Sequence, residues 1–273
     1  MLQTKNFKTI VAAMFALCMV GFYSCSSDND DPDTPPGDEK NIIGKWEVKS
    51  PGAEYGSFEF TGDKKYIITQ HVKELKSRAE TNYIIIIFGD YSTVKADENN
   101  TFTLDLKEFG VITISIKDGN AEITVNGEVY TTSKAKEVNT DKQTELLCHT
   151  WNFDYTIEDG DEDDPYTEKG ATFTFTNNGT YVIYHPYLSA EDIKEGIPSY
   201  EYGTWKWIDS ENIEVIYTQY YYSVAPEGGE SENRTEQQIV KYKIIKLNEK
   251  ELVLYGEYIH EYYGWTQKNY FSR

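Results

Sequence analysis

The chain has 273 residues, with 26 Lys and Arg against 46 Asp and Glu, a formal charge of −20 at pH 7. That length allows one large or two small domains, and so acidic a surface repels phosphate backbones, which argues against nucleic acid as a partner. Aromatics make up 15% of the residues, with 23 Tyr, and supply bulk for a core.

The chain opens with Lys5 and Lys8 and no acid in its first eight residues, then an apolar run over residues 10–23 (IVAAMFALCMVGFY). Spanning a bilayer as a helix takes roughly 20 apolar residues, so this run reads as the h-region of an export signal rather than an anchor. Its end, Phe22-Tyr23-Ser24-Cys25, resembles a bacterial lipobox, with small Ser24 before the cysteine, Phe22 where Leu is usual and Tyr23 where a smaller residue is usual. The resemblance implies a signal peptide over 1–24 and lipidation of Cys25. Loss of Lys5 and Lys8 with that peptide takes the charge from −20 to −22. The run Ser26-Ser27-Asp28-Asn29-Asp30-Asp31 is similar to the export tag behind the lipidated cysteine of surface lipoproteins of certain anaerobic Gram-negative bacteria, which implies the outer face of the outer membrane. Residues 25–40 are rich in Asp, Pro and Gly and lack aromatics, so they read as a disordered, acidic, semi-extended tether. Each buried acyl methylene contributes about 0.8 kcal/mol, so a multiply acylated Cys25 would be the membrane partner without further contact. Cys18 leaves with the signal, and Cys148 alone remains, so no internal disulfide is expected.

Beyond the tether one pattern occurs twice. FEFTGDKKYII, from Phe58, matches FTFTNNGTYVI, from Phe173. Each reads as a strand, a tight turn and a second strand, and Asn178-Gly179 is a strong hairpin signal. The flanks repeat in order: Gly44-Lys45-Trp46 and His149-Thr150-Trp151 upstream, Phe88-Gly89-Asp90-Tyr91 and Tyr202-Gly203-Thr204-Trp205 downstream, Asn126-Gly127-Glu128 and Tyr255-Gly256-Glu257 near the ends. This is a duplication, with copies over 41–137 and 145–273 and a linker over 138–144. In copy one, residues 71–80 read as a short helix or a hairpin arm, and residues 83–88 (YIIIIF) as a strand buried on both faces. TFTLDL and VITISI alternate like strands, as do NIEVIYTQYYYSV and VKYKIIKL in copy two. Residues 189–196 read as a short capped helix from Ser189 to Gly196.

The second copy's short apolar segment, its Trp151, FTFTNNGTYVI, YGTWKW and YKIIKLNEKELVL resemble the lipocalin-like domains of bacterial lipoproteins. His149 replaces the first glycine of the family's Gly-x-Trp, and in copy one Tyr91 stands where Trp205 does. The resemblance implies an all-β chain of two tandem small antiparallel lipocalin-like β-barrels, each closed at one end by its N-terminal Trp. It does not specify a ligand.

Catalytic signatures are weak. His260-Glu261-Tyr262-Tyr263-Gly264 begins like a zinc-protease motif, but Gly264 stands where the second histidine belongs. Asp159-Gly160-Asp161-Glu162-Asp163-Asp164 alternates carboxylates, yet an EF-hand needs Gly at position six and Glu at twelve, where this chain has Asp164 and Gly170. It reads as a solvated loop, with an irregular calcium site as the alternative. His71, His149, His185 and His260 form no triad motif, and Cys148 reads as a core thiol. No catalytic residue, metal or cofactor is expected. The expected function is non-enzymatic binding of a small hydrophobic molecule or glycan, against a structural or adhesive role with filled barrels, or an enzyme housed in one barrel. The candidate ligand residues lie in copy two: Tyr184, Tyr187, Trp205, Trp207, Tyr220 and Tyr222. Trp205 and Trp207 share a strand face, which is core or pocket if inward and a stacking platform if outward. The lipobox reading predicts that Cys25→Ala, or globomycin, abolishes acyl labelling of the mature protein; mass spectrometry of the N-terminus checks it.

Overall fold

The computed structural model describes residues 38–76, 79–97, 99–107, 109–138, 141–186, 200–223, 232–259 and 264–273. Cys25, Tyr187, the helix expected over 189–196 and His260 lie outside them. Nine strands come first: β1 (Gly44–Val48), β2 (Tyr55–Phe60), β3 (Lys65–Lys76), β4 (Ala79–Asp90), β5 (Ser92–Ala96), β6 (Thr101–Asp105), β7 (Val111–Lys117), β8 (Asn120–Val125) and β9 (Glu128–Lys134). They form one antiparallel sheet in the order β4-β3-β2-β1-β9-β8-β7-β6-β5. A short helix, α1 (Lys142–Leu147), follows. Then come β10 (Thr150–Glu158), β11 (Thr172–Phe175), β12 (Thr180–Tyr184), β13 (Tyr200–Trp207), β14 (Asn212–Ser223), β15 (Glu232–Leu247), β16 (Glu251–Ile259) and β17 (Gly264–Ser272), which close into an eight-stranded antiparallel barrel. The chain is all-β, with barrel architecture.

Local chemistry accounts for these strands. In β6, β7 and β8 the buried residues are Phe102, Leu104, Ile112, Ile114, Ala121, Ile123 and Val125, every second position, so one face enters the core. Asp118-Gly119 and Asn126-Gly127 fill the two-residue loops between β7, β8 and β9 with φ of 52°, 73°, 50° and 84°. Consecutive positive φ is what a tight hairpin turn requires, and Asx-Gly tolerates it best.

The first copy departs from a closed barrel. β4 and β5 are the two ends of its sheet and are not hydrogen-bonded to each other. The sheet still curls, because Ile87 on β4 and Ala96 on β5 pack on the same core as Trp46, Phe58 and Ile114. The YIIIIF run lies in β4, at a sheet end rather than doubly covered: Ile84 is 48% exposed and Ile85 37%. The polar stretch before it forms the arms of the β3–β4 hairpin, which pair from Lys65↔Asp90 to Lys76↔Ala79.

Each core is sealed by its first tryptophan. Trp46 donates its indole N–H to the Ile42 carbonyl at 2.9 Å, and Trp151 donates to the Leu147 carbonyl at 2.9 Å. Both bonds reach four residues back, and both indoles are at most 1% exposed. In the second copy α1 supplies that carbonyl; its N-cap, Asp141, accepts from the Thr144 N–H at 2.8 Å.

The two sheets dock through matching parts. Asp63, in the β2–β3 turn, accepts from the Thr150 N–H at 2.8 Å, one residue before Trp151. Asn178, in the β11–β12 turn, accepts from the Lys45 N–H at 3.0 Å, one residue before Trp46. Asp63 and Asn178 occupy the same position of the repeat, as do Lys45 and Thr150, so the contact is reciprocal. His149 adds to it: its Nδ1 lies 3.0 Å from Asp63. Burial pushes the Asp63 carboxyl up, but hydrogen bonds from His149 and Thr150 outweigh it and hold the group below its ordinary value. Between these turns the outward residues of β2, β3, β11 and β12 are also buried: Ser57, Glu59, Ile67, Thr69, Thr174, Thr180 and Val182.

Glu59 is the one carboxylate among them, 1% exposed. Its Oε2 accepts from the Thr180 hydroxyl at 2.7 Å, and its Oε1 has no partner among the described residues. Burial pushes its carboxyl up, against the hydroxyls of Thr176 and Thr180 and the charge of Lys45. A raised value in the folded state means that folding takes up a proton. The stability this adds is full in acid, below the ordinary carboxylate value, and is lost as pH rises through the raised one. Glu59→Gln, which cannot ionise, should therefore be more stable than the parent at neutral pH by about 1–3 kcal/mol, the cost of an unsatisfied buried polar group. The gap should close towards about pH 4, as read by urea denaturation across pH.

Candidate functional site

The sheets leave a cleft of about 330 Å³ beside their docked faces, lined from both copies. Copy two contributes Tyr184, the last residue of β12, and Tyr200, the first of β13, together with Gly170 and Thr172. Register pairs Tyr184 with Tyr200, and their rings stack with centroids 5.2 Å apart and planes 28° apart. Copy one contributes Lys65 and Tyr66 at the start of β3, Phe88, Gly89 and Asp90 at the end of β4, and Lys107. Phe88 extends the aromatic wall, its ring 5.7 Å from Tyr200, and the Tyr200 hydroxyl donates to the Phe88 carbonyl at 3.3 Å. Gly89 makes room here, since a Cβ at that position would meet the Tyr66 hydroxyl at 2.9 Å.

The cleft's polar edge is an ion cluster. Asp90 Oδ1 lies 2.6 Å from Lys65 Nζ, and Oδ2 lies 3.4 Å from Lys107 Nζ. The Lys65 hydrogen bond, more than burial opposes it, holds the Asp90 carboxyl below its ordinary value, and Lys107 adds to the effect. Lys65 Nζ also sits 5.8 Å from the centre of the Phe88 ring. The cleft thus joins half-buried aromatic rings to a fixed carboxylate and two ammonium groups. Such a surface stacks on the apolar face of a ring and hydrogen-bonds its polar rim.

The expected ligand residues do not all meet there. Tyr184 lines the cleft. Trp205 and Trp207 lie at the other end of β13; seven strand steps of about 3.3 Å each separate Tyr200 from Trp207. Both face inward. Trp205 is 3% exposed and donates to the Thr176 carbonyl at 3.0 Å, while half-buried Trp207 donates to the Thr144 hydroxyl of α1 at 2.8 Å. Their rings meet edge to face at 5.9 Å, inside the sealed end of the barrel. Tyr220 and Tyr222 lie in β14, in register with Thr235 and Asn233 of β15. Tyr200, Phe88, Asp90, Lys65 and Lys107 were not singled out from sequence, because docking of the two copies creates their site.

In the acidic loop, backbone N–H groups bond the Asp side chains. Asp159 is a turn residue with φ of 48°, and its Oδ1 accepts from the Thr266 N–H at 2.7 Å. Asp161 accepts from the Asp163 N–H at 3.2 Å. Among the described residues no three His, Cys, Asp or Glu are placed to hold a metal ion, and no helix is long and apolar enough to cross a membrane. Cys148 packs half-buried on the barrel core, where burial pushes its thiol up. Comparison with protein-family models, curated proteins and solved structures finds no match for this chain.

Trp205 is a core residue in this geometry. Trp205→Ala should cost about 3–5 kcal/mol of stability, the range for truncating a buried Trp, and Trp207→Ala less. Urea denaturation of both variants measures the difference.

Proposed function

We propose that this chain is a non-catalytic binding protein, carried on the outer membrane by a lipid on Cys25, that takes a glycan in the cleft between its two sheets. One observation carries the reading: the Tyr184–Tyr200 stack, extended by Phe88, stands beside the Lys65–Asp90–Lys107 cluster in a cleft of about 330 Å³. Sugar rings have an apolar face and a rim of hydroxyls, and this wall and edge match both. The volume lies within the range of small-molecule sites. The resemblance to lipocalin-like lipoprotein domains, and an eight-stranded barrel compatible with it, support the class.

The test is calorimetric titration of the mature protein with soluble gluco-, manno- and xylo-oligosaccharides. At least one series should bind, and Tyr184→Ala and Lys65→Ala should each weaken it tenfold or more, while Trp207→Phe leaves it unchanged. No binding in any series, or binding that survives both cleft substitutions, would overturn the proposal.

A further inference from the structure

The charges of the cleft do not cancel. Its lining carries two ammonium groups, on Lys65 and Lys107, against the single carboxylate of Asp90, in a chain whose formal charge is −20. The three form an alternating row. Lys65 is the inner member, 24% exposed, with its Nζ 2.6 Å from Asp90 Oδ1. Lys107 is the outer member, 62% exposed, with its Nζ 3.4 Å from Asp90 Oδ2. Asp90 is therefore committed mainly to Lys65. Among the described residues no other carboxylate lies within 4 Å of Lys107, so the row ends in a cation with donors to spare.

The backbone holds that cation in place. Lys107 sits in the turn between β6 and β7 with φ of 50°, and its N–H donates to Asp105 Oδ1 at 2.9 Å. Its neighbour Leu106 is fully buried in the first core and donates its N–H to the Gly110 carbonyl at 3.0 Å. The turn is thus pinned from below, and the ammonium group stands on a fixed base. Other acids near the cleft are engaged or turned away. Glu168, two residues before Gly170, lies 3.0 Å from His185 Nδ1. Glu201, next to Tyr200, pairs with the core residue Ile183 and so faces the barrel interior, opposite to Tyr200. The acidity of the remaining surface is felt weakly, because fields are screened over about 8 Å at physiological salt.

We propose that the glycan taken by this cleft is acidic, its ring stacked on the Tyr184–Tyr200 wall and a uronic acid carboxylate continuing the row at Lys107. This inference rests on the glycan reading and deepens it. The aromatic wall accepts the apolar face of a neutral or a charged sugar alike; the outer ammonium group separates them, because a hydrogen bond between two charged groups is about twice as strong as a neutral one. A uronate carboxylate is attached directly to its ring, so stacking the ring also fixes the anion, with little further ordering to be done on binding.

The experiment titrates the mature protein calorimetrically with oligogalacturonates and with their methyl esters, which keep the skeleton and lose the charge. Both should bind, the acid about fivefold more tightly or better, and the margin should shrink from about 50 to about 500 mM NaCl. Lys107→Asn removes the charge and keeps a residue that tolerates the left-handed turn. It should weaken the acid more than the ester and cut the margin to about twofold or less. Asp90→Asn, which releases Lys65 from its partner, should widen the margin; urea denaturation checks that both variants fold. Equal binding of acid and ester, or a preference that survives Lys107→Asn, would overturn this inference and leave the glycan reading standing. Tighter binding by sulfated galacto-oligosaccharides of the same length would overturn the carboxylate assignment. Failure of acid and ester alike would overturn this inference, and, joined to failure of the neutral series, the glycan reading with it.

Discussion

Two hairpin turns and two strand starts hold this molecule together. Asp63 bonds the backbone just ahead of Trp151, and Asn178 bonds the backbone just ahead of Trp46. Each tryptophan seals a core, so the docking contact and the sealing contact are one residue apart in both copies. The arrangement has the logic of an isologous dimer: the same patch is used twice, reciprocally, within a single chain. It also dictates the burial pattern. Strands β2, β3, β11 and β12 have a core on one face and the other copy on the second, so Thr174, Thr180, Ser57 and Glu59 must be buried with their hydrogen bonds arranged between copies or within a strand pair.

The repeat was legible because each strand carries its core residues at alternate positions and each tight turn carries Asx and Gly. Phe58, Phe60 and Tyr66, like Phe175 and Tyr181, are inward residues in the structure. The matched Trp205 and Tyr91 also play matched parts: Trp205 bonds the Thr176 carbonyl and Tyr91 the Thr61 carbonyl, equivalent turn residues. The departure at His149 has a reason too, since its ring bonds Asp63 and strengthens one of the two docking turns.

What sequence did not supply follows from its locality. The YIIIIF run is apolar enough for a strand covered twice, but sheet order is a property of the whole copy, and β4 falls at an end. The cleft is less readable still. Tyr184 and Tyr200 belong to one copy, Phe88, Asp90 and Lys107 to the other, and no spacing along the chain brings them together.

The missing ladder between β4 and β5 has a mechanical meaning. A closed ring of strands offers no free end, so detaching any one strand must break two ladders at once. The first copy has a seam, and β5, held by β6 alone, can peel without disturbing the sheet's middle. The two halves, alike in pattern and joined face to face, are therefore unequal in how they come apart: one unzips from a border, the other resists as a hoop. The hoop also carries the Tyr184–Tyr200 stack, so that wall of the cleft stands on the half with the fewest ways to loosen.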